Sequence, residues 1–201
     1  TVLALLLSVP FGVGAAIYLV EYAKKGNKLV GIIRVTAETL SGIPSIIYGL
    51  FGMLFFVTAL KWGYSMMAGA ATLAIMVLPV IMRTTEEALL CVPDSFREGS
   101  FGLGAGKLRT IFKIVLPSAI PGILSGIILA IGRIVGETAA LIYTSGTVAN
   151  LAGFFDSGRT LAIHMYSLSR EGMHTNEAYA TAVVLLIVVL IINGVSSLIA
   201  K

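Results

Sequence analysis

The residues of this 201-residue chain best placed to do chemistry are Arg133 and Glu137, within GRIVGETAALIYTSG at 132–146. Four apart, they share one face of any continuous helix. The run around them, 115–142, is otherwise largely apolar. An ionisable side chain in such a run costs about 2.5–3.5 kcal/mol on insertion scales, so it faces a bundle interior or a water-filled path. A guanidinium fork there can grip an oxyanion in bidentate fashion, with Glu137 as its counter-charge when the site is empty. The competing reading is an intramembrane salt bridge that only fixes helix packing.

Other reactive types carry less. Glu86 and Glu87 could pass for a catalytic carboxylate pair, but adjacent residues diverge on a helix, and a solvated face is expected. His164 and His174 are too few and wrongly spaced for a zinc motif such as H-E-x-x-H. A single cysteine, Cys91, excludes an internal disulfide and any cysteine-based metal cluster. An intramembrane enzyme would need paired catalytic groups at one depth, and only Arg133 and Glu137 are offered there. The reading is of a non-catalytic subunit, with no cofactor in this chain.

The stretch EGSFGLGAGKLRTIFKIVLP, residues 98–117, interrupts two oily runs with glycine and positive charge. It is no phosphate loop, because G-x-x-x-x-G-K-[ST] would need Gly at 101 and Ser or Thr at 108, where Phe101 and Leu108 stand. A dinucleotide fingerprint from Gly102 would need Gly at Lys107 and a preceding strand. A helix–turn–helix fits better. Pro93–Asp94 open a short helix through Arg97 and Glu98, and Gly102, Gly104 and Gly106 permit a turn with close backbone approach. Lys107–Val115 then forms a second helix with its bases toward water or anionic headgroups. An ordinary basic loop between spans is the alternative.

The elements that position these residues follow from composition. The chain is 57 % hydrophobic and 12 % charged, where an average soluble domain is roughly 25 % charged. The pattern predicts an all-α, multi-pass membrane protein with about five spans, at 1–20, 44–60, 66–82, 115–142 and 178–199. Residues 29–41 read as an interfacial helix, set off by Gly42 and Pro44. Pro79 predicts a kink, and 144–176 reads as a polar loop. Gly122, Gly126, Gly132 and Gly136 make small-xxx-small patterns for close helix packing. Pro117 and Pro121 shape the entry of their span, and Trp62 and Tyr64 fit an interfacial aromatic belt.

The net charge of +4 is not gathered into one patch, which argues against a nucleic-acid partner. If region 83–113 is cytoplasmic, about ten of the fourteen Lys and Arg share its side, as the positive-inside rule requires. The C-terminus is then cytoplasmic too. The first span starts outside, so a further N-terminal span is expected upstream.

Residues 98–117 resemble the coupling-loop signature of importer permeases in ATP-binding-cassette transporters: E-A-A, three residues, G, nine residues, I-x-L-P. Glu98, Gly104, Ile114, Leu116 and Pro117 fall in register, with Gly99 and Ser100 where the pattern has alanines. The resemblance implies that these seven residues couple to a cytoplasmic ATPase. ETLSGIPSIIYGLFG (38–52) and GRIVGETAALIYTSG further resemble phosphate-specific importer permeases of the PstA type, with Ala140 where proline is expected. This implies a MetI-like helical bundle with six helices in a prokaryotic cell membrane. Its implied partners are a PstC-like second permease or a second copy, cytoplasmic ATP-binding subunits, an external phosphate-binding protein, phosphate and lipid. Arg133, Glu137 and Thr138 become its candidate pathway residues. An importer permease for another oxyanion or small solute, and a channel-like subunit without an ATPase, stay open.

Overall fold

The computed structural model describes residues 1–24, 26–149, 153–172 and 174–199. Lys25 and Lys201, two of the bases counted above, lie outside the described residues. The described residues form nine helices: α1 Val2–Tyr22, α2 Lys28–Ser41, α3 Ser45–Ala59, α4 Met66–Leu90, α5 Asp94–Gly102, α6 Lys107–Val135, α7 Ala139–Ile142, α8 Leu161–Glu171 and α9 Thr175–Ile199. By length and composition α1, α4, α6 and α9 can each cross a membrane, and α2 with α3 forms a bent pair that counts as a fifth.

The helix starts are set by local chemistry. The Ser65 hydroxyl accepts the Ala68 amide to open α4, and Asn27 Oδ1 accepts Leu29 N–H to open α2. Gly42 and Pro44 end α2 and turn the chain through 100° into α3. The Tyr48 hydroxyl holds that elbow by donating to Leu40 O at 2.7 Å. Alone, the fifteen residues of α3 span about 22 Å, short of a hydrocarbon core of about 30 Å.

α4 is the hub. Two-thirds of its most apolar window is buried, against 28 % for α1 and α6 and 6 % for α9. It runs on through Pro79 to Leu90, eight residues past the expected end of the span. The polar side chains of 83–90 therefore ride on a continued helix. α1 lies parallel to α4: Ala4 shares an apolar cluster with Leu73, Gly12 meets Ile81, and Ala16 and Leu19 share a second cluster with Met82 and Leu89. α6 lies antiparallel, with Gly122 against Ala88 and Gly126 against Thr84. A Cβ at Gly122 would sit 2.6 Å from Ala88 Cβ, so two of the four small-xxx-small glycines make the expected close contact. Gly132 and Gly136 meet no neighbouring helix within 4 Å.

A Gly126→Val chain must push Thr84 out of the α4 face, an overpacking cost of about 1–3 kcal/mol. Its membrane abundance is expected to fall several-fold, whereas Gly132→Val should accumulate normally. Equal abundance of the two by quantitative immunoblot would contradict this packing.

The fourth expected span differs at both ends. α6 begins at Lys107, inside the basic stretch, and its Ile111–Val115 turn is widened so that Leu116 N–H reaches Ile111 O just before Pro117. It ends at Gly136, not 142. The chain then wedges the short α7 between α3 and α4, where only glycine fits: Gly49 faces Ala140 and Gly52 faces Thr72 and Thr144. The region 144–176 is no simple loop. It holds α8, capped by the Thr160 hydroxyl and ended by left-handed Gly172, with Ile163 fully buried in the main apolar cluster. Trp62 stacks on Phe56 at 5.3 Å and meets Phe155 edge-on, so it packs within the protein rather than standing free in a belt.

Candidate functional site

Two regions gather the chemistry. The first is the segment after α4. Pro93 and Asp94 open α5 as expected, and α5 turns into α6 through Gly104, whose φ of +82° is the left-handed conformation that glycine adopts freely. Its amide donates to Phe101 O at 2.9 Å, and Ala105 N–H to Ser100 O at 3.1 Å. Gly99, Gly102 and Gly106 keep negative φ, and none of the segment's four glycines has a neighbour within 4 Å of a Cβ position. Close backbone approach within this chain is therefore not their role. Ser100 does more than replace a small alanine: it is buried, and its hydroxyl lies 2.8 Å from that of Thr110, tying α5 to the first turn of α6. Glu98 is exposed and unpaired among the described residues, and Leu103, at the end of α5, is 91 % exposed. Ile114 and Leu116 are half-buried and Pro117 is exposed.

Arg97 was not legible as a functional residue. Its guanidinium meets Glu21 Oε1 at 2.8 and 3.1 Å, donates to Val92 O at 2.7 Å and Leu89 O at 2.9 Å, and reaches Asp94 at 3.2 Å. One side chain thus clamps α5 to the end of α1, to the last turn of α4 through Leu89 O and to the link after it through Val92 O. The Glu21 side chain is only 9 % exposed. Arg97→Met would strand that carboxylate, at a cost of about 3 kcal/mol. The expected result is a clearly lower unfolding midpoint for the purified protein in detergent, with little change for Asp94→Asn, whose carboxylate is exposed. An unchanged Arg97→Met midpoint would show that the clamp carries no stability.

Glu86 is a correction. It is buried and paired with Arg34 at 2.5 Å, while the exposed Glu87 pairs with Arg83 at 3.5 Å, and Arg83 also reaches Glu38 at 3.2 Å. The two carboxylates diverge, as adjacent helical residues must, but one of them locks α2 to α4 instead of meeting solvent.

The second region surrounds Arg133. The α4–α6 register carries Arg133 to the level of Val77, about 16 Å into α4 at 1.5 Å per residue. That is close to the middle of α4. Arg133 is half-buried, lines a cleft of ≈ 570 Å³ with Val80, Ser125 and Asn193, and has no hydrogen bond or ion pair among the described residues.

The expected Arg133–Glu137 pair does not form. α6 stops at Gly136, so the i,i+4 geometry is lost, and Glu137 Oε1 instead accepts the Ala140 amide at 3.1 Å. Glu137 caps α7. This accounts for Ala140, because proline there would have no N–H to give. Thr138 Oγ1 makes only a long 3.4 Å contact to Gly136 O. Among the three candidate pathway residues, the cleft takes in Arg133 and leaves Glu137 and Thr138 at the break beyond it.

The pattern of binding-protein-dependent transport system inner membrane components matches residues 8–201. The chain belongs to that family. It is 38 % identical over 208 residues to the probable ABC transporter permease protein YqgI of Bacillus subtilis (strain 168), covering 95 % of this chain and 70 % of the relative. It is also 38 % identical over 200 residues to the phosphate transport system permease protein PstA 1 of Mycobacterium tuberculosis (strain CDC 1551 / Oshkosh), covering 98 % of this chain and 65 % of that one. The chain thus spans 70 % and 65 % of the length of these relatives. Among solved structures, the inward-facing MetNI methionine ABC transporter superposes with a TM-score of 0.75 at 21 % identity, over 99 % of this chain and 87 % of the other. A bacterial ABC transporter involved in the import of the acidic polysaccharide alginate does so at 0.67 and 18 %, over 100 % and 78 %. These structures establish the fold, an all-α MetI-like helical bundle, and the family match makes the chain a multi-pass transport component of the inner membrane. In this permease the two chemical regions are separate: a clamped turn at one end of the bundle and a cationic cleft near its middle.

Proposed function

We propose that this permease is the membrane-spanning subunit of an ATP-driven importer of inorganic phosphate. The observation that carries the reading is Arg133: a guanidinium near mid-depth, half-buried on an open cleft, with no carboxylate paired to it. A charge so placed and left unneutralised is suited to receiving an anion. The relative named for phosphate transport, 38 % identical across 98 % of this chain, supports phosphate over other oxyanions. Uptake of labelled phosphate, sulfate and molybdate by cells carrying or lacking this gene tests it. Loss of phosphate uptake alone is expected, and loss of another anion in its place would overturn the substrate.

The chain itself is non-catalytic in this reading and needs no cofactor. Glu98, Gly99, Ser100, Gly104, Ile114, Leu116 and Pro117 engage a cytoplasmic ATP-binding subunit, with exposed Glu98 and Leu103 as the contact face. Arg97 then passes the ATPase's movement to α1 and α4 as a rigid link. The cleft is completed by a PstC-like second permease or a second copy, and an external phosphate-binding protein delivers the anion. Orientation follows the bases, with the coupling segment and C-terminus cytoplasmic. A reporter fused at Lys107 should read cytoplasmic and one at Asp156 external. The reverse pattern would overturn the topology.

A further inference from the structure

α9 is an apolar helix, and Asn193 is the polar residue that its sequence places deep within it, after fifteen residues, 178–192, relieved only by Tyr179 and Thr181. Its amide is exposed and has no hydrogen bond among the described residues. A bare amide at that depth is costly against lipid, so it requires a partner or water.

Its position supplies one. Leu185 and Val188 share a cavity with Ile134 and Val135, whereas Asn193 shares the cleft of Ser125 and Arg133. α9 therefore runs antiparallel to α6, and Asn193 lies on the coupling-segment side of Arg133. Ser125 lies eight residues before Arg133 on α6, about 12 Å along the axis. Its hydroxyl donates to Pro121 O at 3.0 Å. It can turn outward, since that carbonyl lies four residues back in the same helix and keeps the Ser125 amide.

We infer that Arg133, Asn193 and Ser125 form a descending anion track, in which Asn193 is a specificity-determining contact between the cation and the coupling end. The inference rests on the transport reading above. The chemistry suits a tetrahedral oxyanion that carries a proton: the Asn193 Nδ2 donates to an anionic oxygen and Oδ1 accepts from a protonated one. A track of one cation followed by neutral donors also favours departure, because an ion held by a second arginine would be released slowly. Its direction, from strong grip to weak, is the direction of import if the coupling end is cytoplasmic.

The test uses the assembled importer in membrane vesicles, with Cys91→Ser removing the native thiol and Ser125→Cys as reporter. A small charged methanethiosulfonate reagent should modify position 125, and phosphate should slow it at least fivefold. Adding Asn193→Leu should abolish that protection and, in the chain with Ser125 intact, cut uptake at least tenfold at normal abundance, while Asn193→Gln, which carries the same amide, should lose far less of either. Leucine favours insertion, so poor folding does not explain such a loss. Position 125 unreactive, or equal protection and uptake with Asn193→Leu, would overturn the track. Protection by sulfate or molybdate in place of phosphate would uphold the track while refuting phosphate as its substrate.

Discussion

Arg133→Lys is expected to insert normally and to lose phosphate uptake by at least tenfold, a difference of about 1.4 kcal/mol. The charge survives, but the planar fork does not. A lysine ammonium is a compact, strongly hydrated point charge that cannot bind two oxygens of one anion in parallel. Among the described residues Arg133 has no ion pair to hold a replacement in place. Glu137→Gln should be mild, because the amide oxygen can still accept the Ala140 N–H that Glu137 accepts at 3.1 Å. The charge swap Arg133→Glu with Glu137→Arg should be inactive, whereas a simple packing pair would recover. Uptake normalised to membrane abundance decides. A well-inserted Arg133→Lys with full uptake would remove Arg133 from the pathway, and a transporting charge swap would reinstate the salt bridge.

Gly104→Val is expected to abolish ATP-driven uptake while leaving the protein in the membrane. At φ +82° a β-branched residue is strained by about 1–2 kcal/mol or more, so the turn refolds to escape. The cost is conformational, because nothing lies within 4 Å of the Cβ position. What moves is the aim of α5 relative to α6, and with it the face carrying Glu98 and Leu103. Gly104→Asn should retain much more uptake, since asparagine tolerates the left-handed region. Equal uptake by Gly104→Val and wild type would show that this turn does not couple to the ATPase. Equal loss in Gly104→Asn and Gly104→Val would indicate a contact to a partner in place of backbone strain.

What was legible in the sequence is what is local. The elbow at Gly42–Pro44, the α5 start at Pro93–Asp94 and the glycine turn at 104 each follow from backbone limits on a few adjacent residues. The contact of Gly122 and Gly126 with α4 follows from helical spacing. Glu137 was misplaced because i,i+4 geometry assumes a continuous helix, and Gly136 ends it. The Arg97–Glu21 clamp joins residues 76 apart, and Arg34–Glu86 joins two different helices, so no periodicity could announce either. The α8 segment reads as polar because its moderate hydropathy hides Ile163, which the bundle buries fully. Asn193 had a signal, a lone amide in an oily run, whose meaning appeared only once α9 was laid beside α6.

The most direct test reconstitutes the chain with its ATPase, second permease and binding protein in liposomes, with ATP enclosed at the cytoplasmic face. Labelled phosphate is then supplied outside. The account predicts ATP-dependent release of phosphate at the ATP-bearing face, unaffected by excess sulfate and absent with Arg133→Lys. ATP hydrolysis without phosphate movement, or movement of phosphate that needs no ATP, would contradict it.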